Sequence, residues 1–405
     1  MKFKQRVLVS ALALAMVPAP AVMADGHDIQ ALKNQVQMLL QRIEQLEQKQ
    51  QQTDVVVKQQ QKPNKQVVTS GNDKVRLSIS GQVNRGVLIT DDGDSSDVFH
   101  VDNDASSTRF RLIGEADVSD TFTVGAAVEV EIKSDSTADV SQVSTSGTGG
   151  TLNERRLEFY LADDNWGKVW VGQGWTASED TSEYDLSGTA LAGYSATADM
   201  AGGMLFRSSG GALSDTTVGD VFTNLDGLGR RDRLRYDTPT FNGLTLSASV
   251  MEGDAWDVAV TYAGEYSYAQ VVAALAYSDP NDLGSHDSRV NGSVSALFNN
   301  GFNVTLAAGQ DDGSGAGDPQ FYYGKLGYKT QLNSAGSTAF SIDYHHTDEI
   351  GSTLDEGSSY GIQAVQVIDA WSTELYMGFR TYELERAGAD FQNIDAFILG
   401  GRVKF

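Results

Sequence analysis

The chain has 405 residues with 54 acidic and 30 basic side chains, a formal net charge of −24, and such acidity excludes a nucleic-acid binder, whose phosphate contacts need clustered Lys and Arg. The absence of Cys excludes disulfide scaffolds, zinc ribbons, iron–sulfur centres and thiol enzymes. Gly is abundant at 42 and Pro scarce at 6, and no long apolar run follows the first 24 residues, so a chain of this kind spans a membrane only as strands.

Residues 1–24 read as a secretory signal: Lys2, Lys4 and Arg6 form the charged region, 7–17 the apolar run, and Val22-Met23-Ala24 a small-residue cleavage site. An uncleaved anchor is the alternative, but the run is short for a spanning helix. Cleavage removes three positive charges and takes the mature chain, beginning at Asp25, from −24 to −27. Within 25–50, Ile29, Leu32, Val36, Leu39, Ile43 and Leu46 are spaced 3, 4, 3, 4, 3, a heptad seam with Ile or Val at a and Leu at d. In a parallel assembly Arg42 reaches Glu47 of a neighbouring chain. Three heptads need a packing partner, either another copy or the chain's own domain. Residues 51–73, rich in Gln and Lys with Pro63, read as a flexible linker.

From 74 to 405 the period is two. Val75, Leu77, Ile79, Gly81 and Val83 alternate with Arg76, Ser78, Ser80 and Gln82, giving one apolar and one polar face. Sixteen such runs are counted, from 75–89 and 108–118 to 371–383 and 392–405. Connections after even strands are tight (119–120, 264–265, 299–300), whereas those after odd strands, including 91–107, 134–152, 311–319 and 348–356, are long and acidic. Short turns at one rim and long loops at the other are the pattern of a transmembrane β-barrel, here all-β, antiparallel and sixteen-stranded, preceded by a short α-helical coiled coil. Trp166, Trp170, Trp175, Trp256 and Trp371 fall near strand ends, where an aromatic girdle sits.

The final strand places Phe397, Leu399, Gly401, Val403 and Phe405 on one face. With this ending, Ser107-Thr108-Arg109-Phe110, 153–161, Trp166-Gly167-Lys168-Val169 leading to Gly172-Gln173-Gly174, and 235–244, the chain from 74 to 405 resembles the Gram-negative general porins. The resemblance implies trimeric barrels in the outer membrane, embedded among lipid and lipopolysaccharide. It also implies a last strand, here carrying Val403 and Phe405, that the barrel-assembly machinery reads. The N-terminal arm is similar instead to that of substrate-selective porins and of porins with a periplasmic stalk, and would place 25–50 in the periplasm, within reach of the cell wall.

The resemblance further implies that the loop after strand 5, about 176–230, folds inward and narrows the pore, its acidic side facing Arg on the wall. Here the loop opens with Glu179, Asp180, Glu183 and Asp185, and alternation puts Arg109, Arg111, Arg156, Arg231, Arg233 and Arg235 on the lumen face. Gln82 stands where the enteric family often has Lys, and the family's Pro-Glu-Phe-Gly-Gly turn is missing. Arg opposite carboxylates sets up a transverse field that favours small polar solutes.

Other motifs carry little chemistry. Gly357-Ser358-Ser359-Tyr360-Gly361 matches a nucleophile elbow but opens a strand. His345 and His346 point to opposite faces, at surface or rim positions, and Asp91-Asp92-Gly93-Asp94 and Asp311-Asp312-Gly313 read as solvated loop carboxylates without calcium-loop spacing. No enzyme, metal or cofactor is expected. Three functions remain: passive diffusion of small hydrophilic solutes and ions, a solute-selective channel for phosphate, dicarboxylate or oligosaccharide, and an envelope tether anchored by a barrel.

Overall fold

The computed structural model describes residues 67–69 and 74–405, apart from 147–149, 285 and 314–316. The secretory segment and the seam Ile29, Leu32, Val36, Leu39, Ile43 and Leu46 lie outside the described residues. Of the segment read as a linker, Val67–Thr69 forms a short strand on Arg76–Ser78. Its β-branched residues suit an extended backbone better than a tether.

Sixteen strands form the wall: β1 Arg76–Asp91; β2 in two pieces, Ser96–Asp102 and Arg109–Asp117; β3 Phe122–Lys133; β4 Thr151–Asp163; β5 Gly167–Trp175; β6 Arg230–Asp237; β7 Leu244–Met251; β8 Trp256–Glu265; β9 Ala269–Asp279; β10 Ser288–Phe298; β11 Phe302–Asp312; β12 Gln320–Asn333; β13 Gly336–Asp348; β14 Asp355–Ile368; β15 Thr373–Arg386; β16 Ile394–Lys404. Each pairs antiparallel with the next, and β16 closes on β1 from Gln82↔Lys404 to Asp91↔Asp395. Closure leaves no free edge along the wall.

One connection expected to be long differs. The segment 91–107 is a four-residue turn at 92–95 followed by the upper piece of β2, which pairs with β1 from Arg85↔Asp102 to Asp91↔Ser96. The turn is held by Asp92, whose carboxylate accepts from the N–H groups of Asp94 and Ser95, so an acidic run that reads as loop is a tight reversal. β2 then breaks at 103–108. The side chains of Gln82 and Asn84 on β1 fill the gap, donating to the carbonyl oxygens of Ser106 and Ser107 and of Ser106 respectively. Gln82 Oε1 also accepts from Arg402 at 3.4 Å, a bond that a lysine, having no acceptor, would not make.

Alternation holds on the outer face, where Phe340, Ile342 and Tyr344 of β13 are exposed while Ser341, Asp343 and His345 are buried inside. Aromatic pairs ring both rims: Trp256–Tyr277 on the long-loop side, with centroids 5.4 Å apart, and Phe302–Tyr328 and Phe122–Trp166 on the short-turn side at 5.1 and 6.0 Å. Tyr322 and Tyr328 on β12 are about 20 Å apart at the strand rise, close to the height of an apolar band. Trp170 and Trp175 are exceptions to the expected girdle, since both turn inward against Arg156.

Alternation fails on the inner face of β1, the upper piece of β2 and β14 to β16, where Leu88, Phe99, Val101, Val365, Tyr382, Leu384, Ile394 and Ile398 are buried. The connection after β5 covers them with Met200, Met204, Phe206, Val218, Val221 and Phe222. Each such side chain contributes roughly 1.5–3 kcal/mol by leaving water, so this loop is held as part of the core.

Candidate pore constriction

The inward connection spans 176–229 and is ordered, with a 3-10 turn at Thr197–Met200, a hairpin pairing Leu205–Arg207 with Leu213–Thr217, and a helical turn at Val218–Val221 whose N-terminus is closed by a capping box between Thr217 and Asp220. Its first stretch is fastened along the wall from β7 to β13. Asp257 on β8 accepts from the N–H groups of Ala177 and Ser178 and from the Ser178 hydroxyl. Tyr184 N–H donates to Ser293 and Leu186 N–H to Ser295, both on β10. Lys325 on β12 is fully buried, and its Nζ lies 2.7 Å from Asp185, 3.1 Å from Thr189 and 2.6 Å from the carbonyl of Gly193. Further along, Thr197 Oγ1 lies 2.5 Å from Nδ1 of His345, a fully buried residue rather than the rim position its sequence context suggested.

The loop carboxylates expected to face the wall divide into two sets. Asp185 turns to Lys325, whose charge and donated hydrogen bond overcome the effect of burial and hold its carboxyl below the usual range. Glu183 accepts from Asn224 at 2.9 Å. Burial foremost, then the nearby Asp226, pushes it well above the ordinary glutamate value. Glu179 lies 3.3 Å from Arg230, yet burial and then Asp226 push it up to about 8. Asp180 is raised by burial, although Arg230, Arg155, Arg235 and Arg109 all pull it down. Asp226 is pushed up to about 7 by burial, against hydrogen bonds from the N–H groups of Ser182 and Asp180.

Across the lumen, the wall from β2 to β6 carries the arginines in pairs with wall acids. Fully buried Glu129 takes Arg111, Arg155 at 2.9 Å and Arg109 at 3.7 Å. Glu131 takes Arg155 at 3.2 Å. Glu158 joins Arg156 and Arg233, and Asp237 accepts from Arg235 at 2.8 Å. Arg233 and Arg156 are buried in these pairs, whereas Arg231 donates to the carbonyl of Leu228 and has no ion pair among the described residues. The expected six-Arg ladder is thus a lattice of alternating charge.

Arg155, overlooked by alternation, enters the lumen through a bulge. The register passes from Glu129↔Arg156 to Val130↔Glu154 and skips Arg155, and the extra residue swings onto Glu129 and Glu131. Two adjacent arginines opposite Glu129 and Glu131 were the available signal, because a regular strand cannot face both inward. Gly172 and Gly174 create the space for the next pair. At Gly172 φ is +116° and a Cβ would meet Leu157 O at 2.4 Å; at Gly174 it would meet Glu158 Oε2 at the same distance.

Along the inner loop lies a cleft of about 400 Å³, lined by Asp180, Glu183, Tyr184 and Asp185, with Ala105 from the break in β2 and Val272 from β9. Among the described residues, one carboxylate oxygen each from Glu179, Asp180 and Asp226 come within 4.8 Å of one another, a spacing that suits a metal. Arg230 already supplies a cation there. Asp92 and Asp311, read from sequence as solvated, are buried and bind Arg207 at 2.7 Å and Arg289 at 2.6 and 2.8 Å.

The family model for Gram-negative porins matches residues 11–387. The chain belongs to this family. Among solved structures, the porin is similar to an anion-selective porin from Comamonas acidovorans, with 16% identity over 82% of this chain and 100% of that one and a TM-score of 0.56. It is also similar to OmpT, an outer membrane protein of Vibrio cholerae, with 12% identity over 84% and 100% and a TM-score of 0.55. The outer membrane channel DcaP of Acinetobacter baumannii aligns with 14% identity over 84% and 100% and a TM-score of 0.50. No curated protein matches. In an outer-membrane porin the exposed rows of Leu and aromatic side chains face lipid, including a depression of about 680 Å³ bordered by Phe302, Leu326, Phe340, Ile362 and Phe379.

Proposed function

We propose that the protein is a water-filled outer-membrane channel for passive diffusion of small hydrophilic solutes and ions, assembled as a homotrimer. The observation that carries this reading is a closed barrel with a charge-paired wall on β2 to β6 and an inner loop tied to the opposite side. Oriented charges on both walls favour polar over apolar solutes. Arg109, Arg111, Arg156, Arg231, Arg233 and Arg235 act as the basic side, and Asp180 with Glu179 as the acidic side. Trimer assembly is supported by family membership and by the trimer form recorded for OmpT. Val403 and Phe405 serve as the assembly signal, and the periplasmic arm at 25–50 adds contact between copies or with the cell wall.

Planar-bilayer conductance with competing solutes tests the reading. A diffusion channel gives current proportional to salt, and Arg109→Ser with Arg156→Ser shifts the reversal potential toward cations. Block confined to phosphate, a dicarboxylate or an oligosaccharide, with other small anions without effect, would favour the selective-channel alternative. Absence of conductance from a heat-modifiable barrel would leave the envelope tether.

A further inference from the structure

Below the constriction, β4 and β5 carry a group of side chains outside the charge lattice. Lys168, the second residue of β5, sits on the short-turn side and pairs in register with Asp237 of β6. Its Nζ lies 3.6 Å from the ring centre of Tyr160 and 3.7 Å from that of Trp170, and those two rings are 4.9 Å apart with an interplanar angle of 54°. The ammonium therefore sits in an aromatic V, which fixes a side chain that is otherwise among the most mobile. Both rings are themselves tied. The Tyr160 hydroxyl donates to Glu115 at 2.6 Å, and Trp170 Nε1 donates to Asp237 at 2.8 Å.

The neighbouring carboxylates are committed elsewhere. Asp237 also takes Arg235, Glu158 takes Arg156 and Arg233, and Glu115 and Asp117 take Arg76. Five cations against four carboxylates leave one positive charge over. Lys168 is the member with neither a hydrogen bond nor an ion pair among the described residues, and it remains half-exposed. Aromatic rings accept the field of an ammonium but none of its N–H groups, so the donors stay available. The other cation of β5 and β6 without an ion pair, Arg231, is six residues from Asp237 along β6, about 20 Å away toward the opposite rim.

We propose that Lys168, held by Tyr160 and Trp170, forms an oxyanion subsite on the short-turn side of the pore. It takes the carboxylate or phosphate group of a small organic anion in transit. The site rests on the channel reading above, and its chemistry is that of a charge-assisted hydrogen bond from a pre-positioned donor.

The test uses the full-length protein in planar bilayers, with acetate, benzoate or inorganic phosphate added to one side at a time. Saturable current block is expected at lower concentration from the short-turn side. Lys168→Met weakens it roughly tenfold, as loss of one charge-assisted bond implies, Lys168→Arg retains it within about threefold, and Lys329→Gln, at an exposed cation on β12, leaves it unchanged. Equal block in wild type and Lys168→Met, or loss of block in Lys329→Gln, overturns the subsite while leaving the channel intact. Benzoate acting without phosphate or acetate assigns the site to aromatic acids; all three acting assigns it to oxyanions at large. If the wild type conducts no current, the channel reading falls. The subsite is then judged in detergent by the fluorescence difference between wild type and Trp170→Phe on benzoate or phosphate titration, where no saturable change overturns it.

Discussion

Replacing Lys325 with Met removes the strongest tie between the inner loop and the barrel while keeping the volume of the side chain. Lys325 is fully buried, and its partner Asp185 is almost as enclosed. Removing one member of a buried ion pair costs about 3–5 kcal/mol, mostly because the other charge is stranded. Asp185 borders the aqueous cleft, so hydration on opening recovers part of that cost and the low end applies. About 3 kcal/mol corresponds to roughly a 10²-fold increase in the opening equilibrium of the segment. The effect is expected to be local. Residues 177–184 keep their bonds to Asp257 and Ser293, whereas 187–193 lose the ammonium that gathers Thr189 and the Gly193 carbonyl. Amide hydrogen exchange on detergent-solubilised barrels reads both segments in one experiment. Exchange at 187–193 should accelerate about 10²-fold in Lys325→Met, while 177–184 changes little. Adding Asp185→Asn should recover most of the loss, since no charge is then left buried. Less than a threefold acceleration at 187–193, or an equal acceleration of both segments, would refute the anchoring argument.

Two further outcomes follow from the same geometry. Glu179 and Asp226, with carboxyls raised to about 8 and about 7 by burial, bind protons more tightly in the folded loop than in the unfolded chain. Their contribution to loop stability is therefore present at low pH and declines as pH rises from about 4 through 8; cation preference should rise over pH 6–9, and a flat reversal potential across that range would count against it. Phe405→Ala should lower the yield of heat-modifiable barrel while leaving the melting temperature of assembled barrel nearly unchanged. The Phe405 backbone exchanges two hydrogen bonds with Gly81 that survive the substitution, so a large fall in melting temperature would make the role structural instead.

The wall was legible because its strands alternate against lipid on the outside, and because tight turns such as 299–301 contrast with long connections. It became illegible where a second layer of protein lies inside. The upper piece of β2 carries Val98 outward and Phe99 and Val101 inward, and apolar residues on both faces erase the period of two. The cause is 39 residues away or more in sequence, in Val140, Met204 and Phe206 of the covering segments. Nothing local to 91–107 announces it.

At the constriction, the types of residue could be read but their pairing could not. Alternation assigns Arg109, Arg111 and Arg156 to the lumen without revealing that Glu129 and Glu158 stand between them, because cross-strand neighbours depend on register and register here shifts at the bulge that admits Arg155. The glycines carry the complementary information. Gly172-Gln173-Gly174 is informative through the side chains it lacks, since a methyl group at either glycine collides with the Leu157 carbonyl or the Glu158 carboxylate. The spacing of two thus clears a slot in β5 where Glu158 of β4 meets Arg233 of β6 across the intervening strand. That slot matters for permeation because a guanidinium locked to a buried carboxylate presents a dipole to a passing ion, while an unpaired cation presents a full charge. Selectivity in this wall therefore depends less on how many arginines it holds than on which cations the carboxylates leave uncovered. On β5 and β6 those are Arg231 near one mouth and Lys168 near the other.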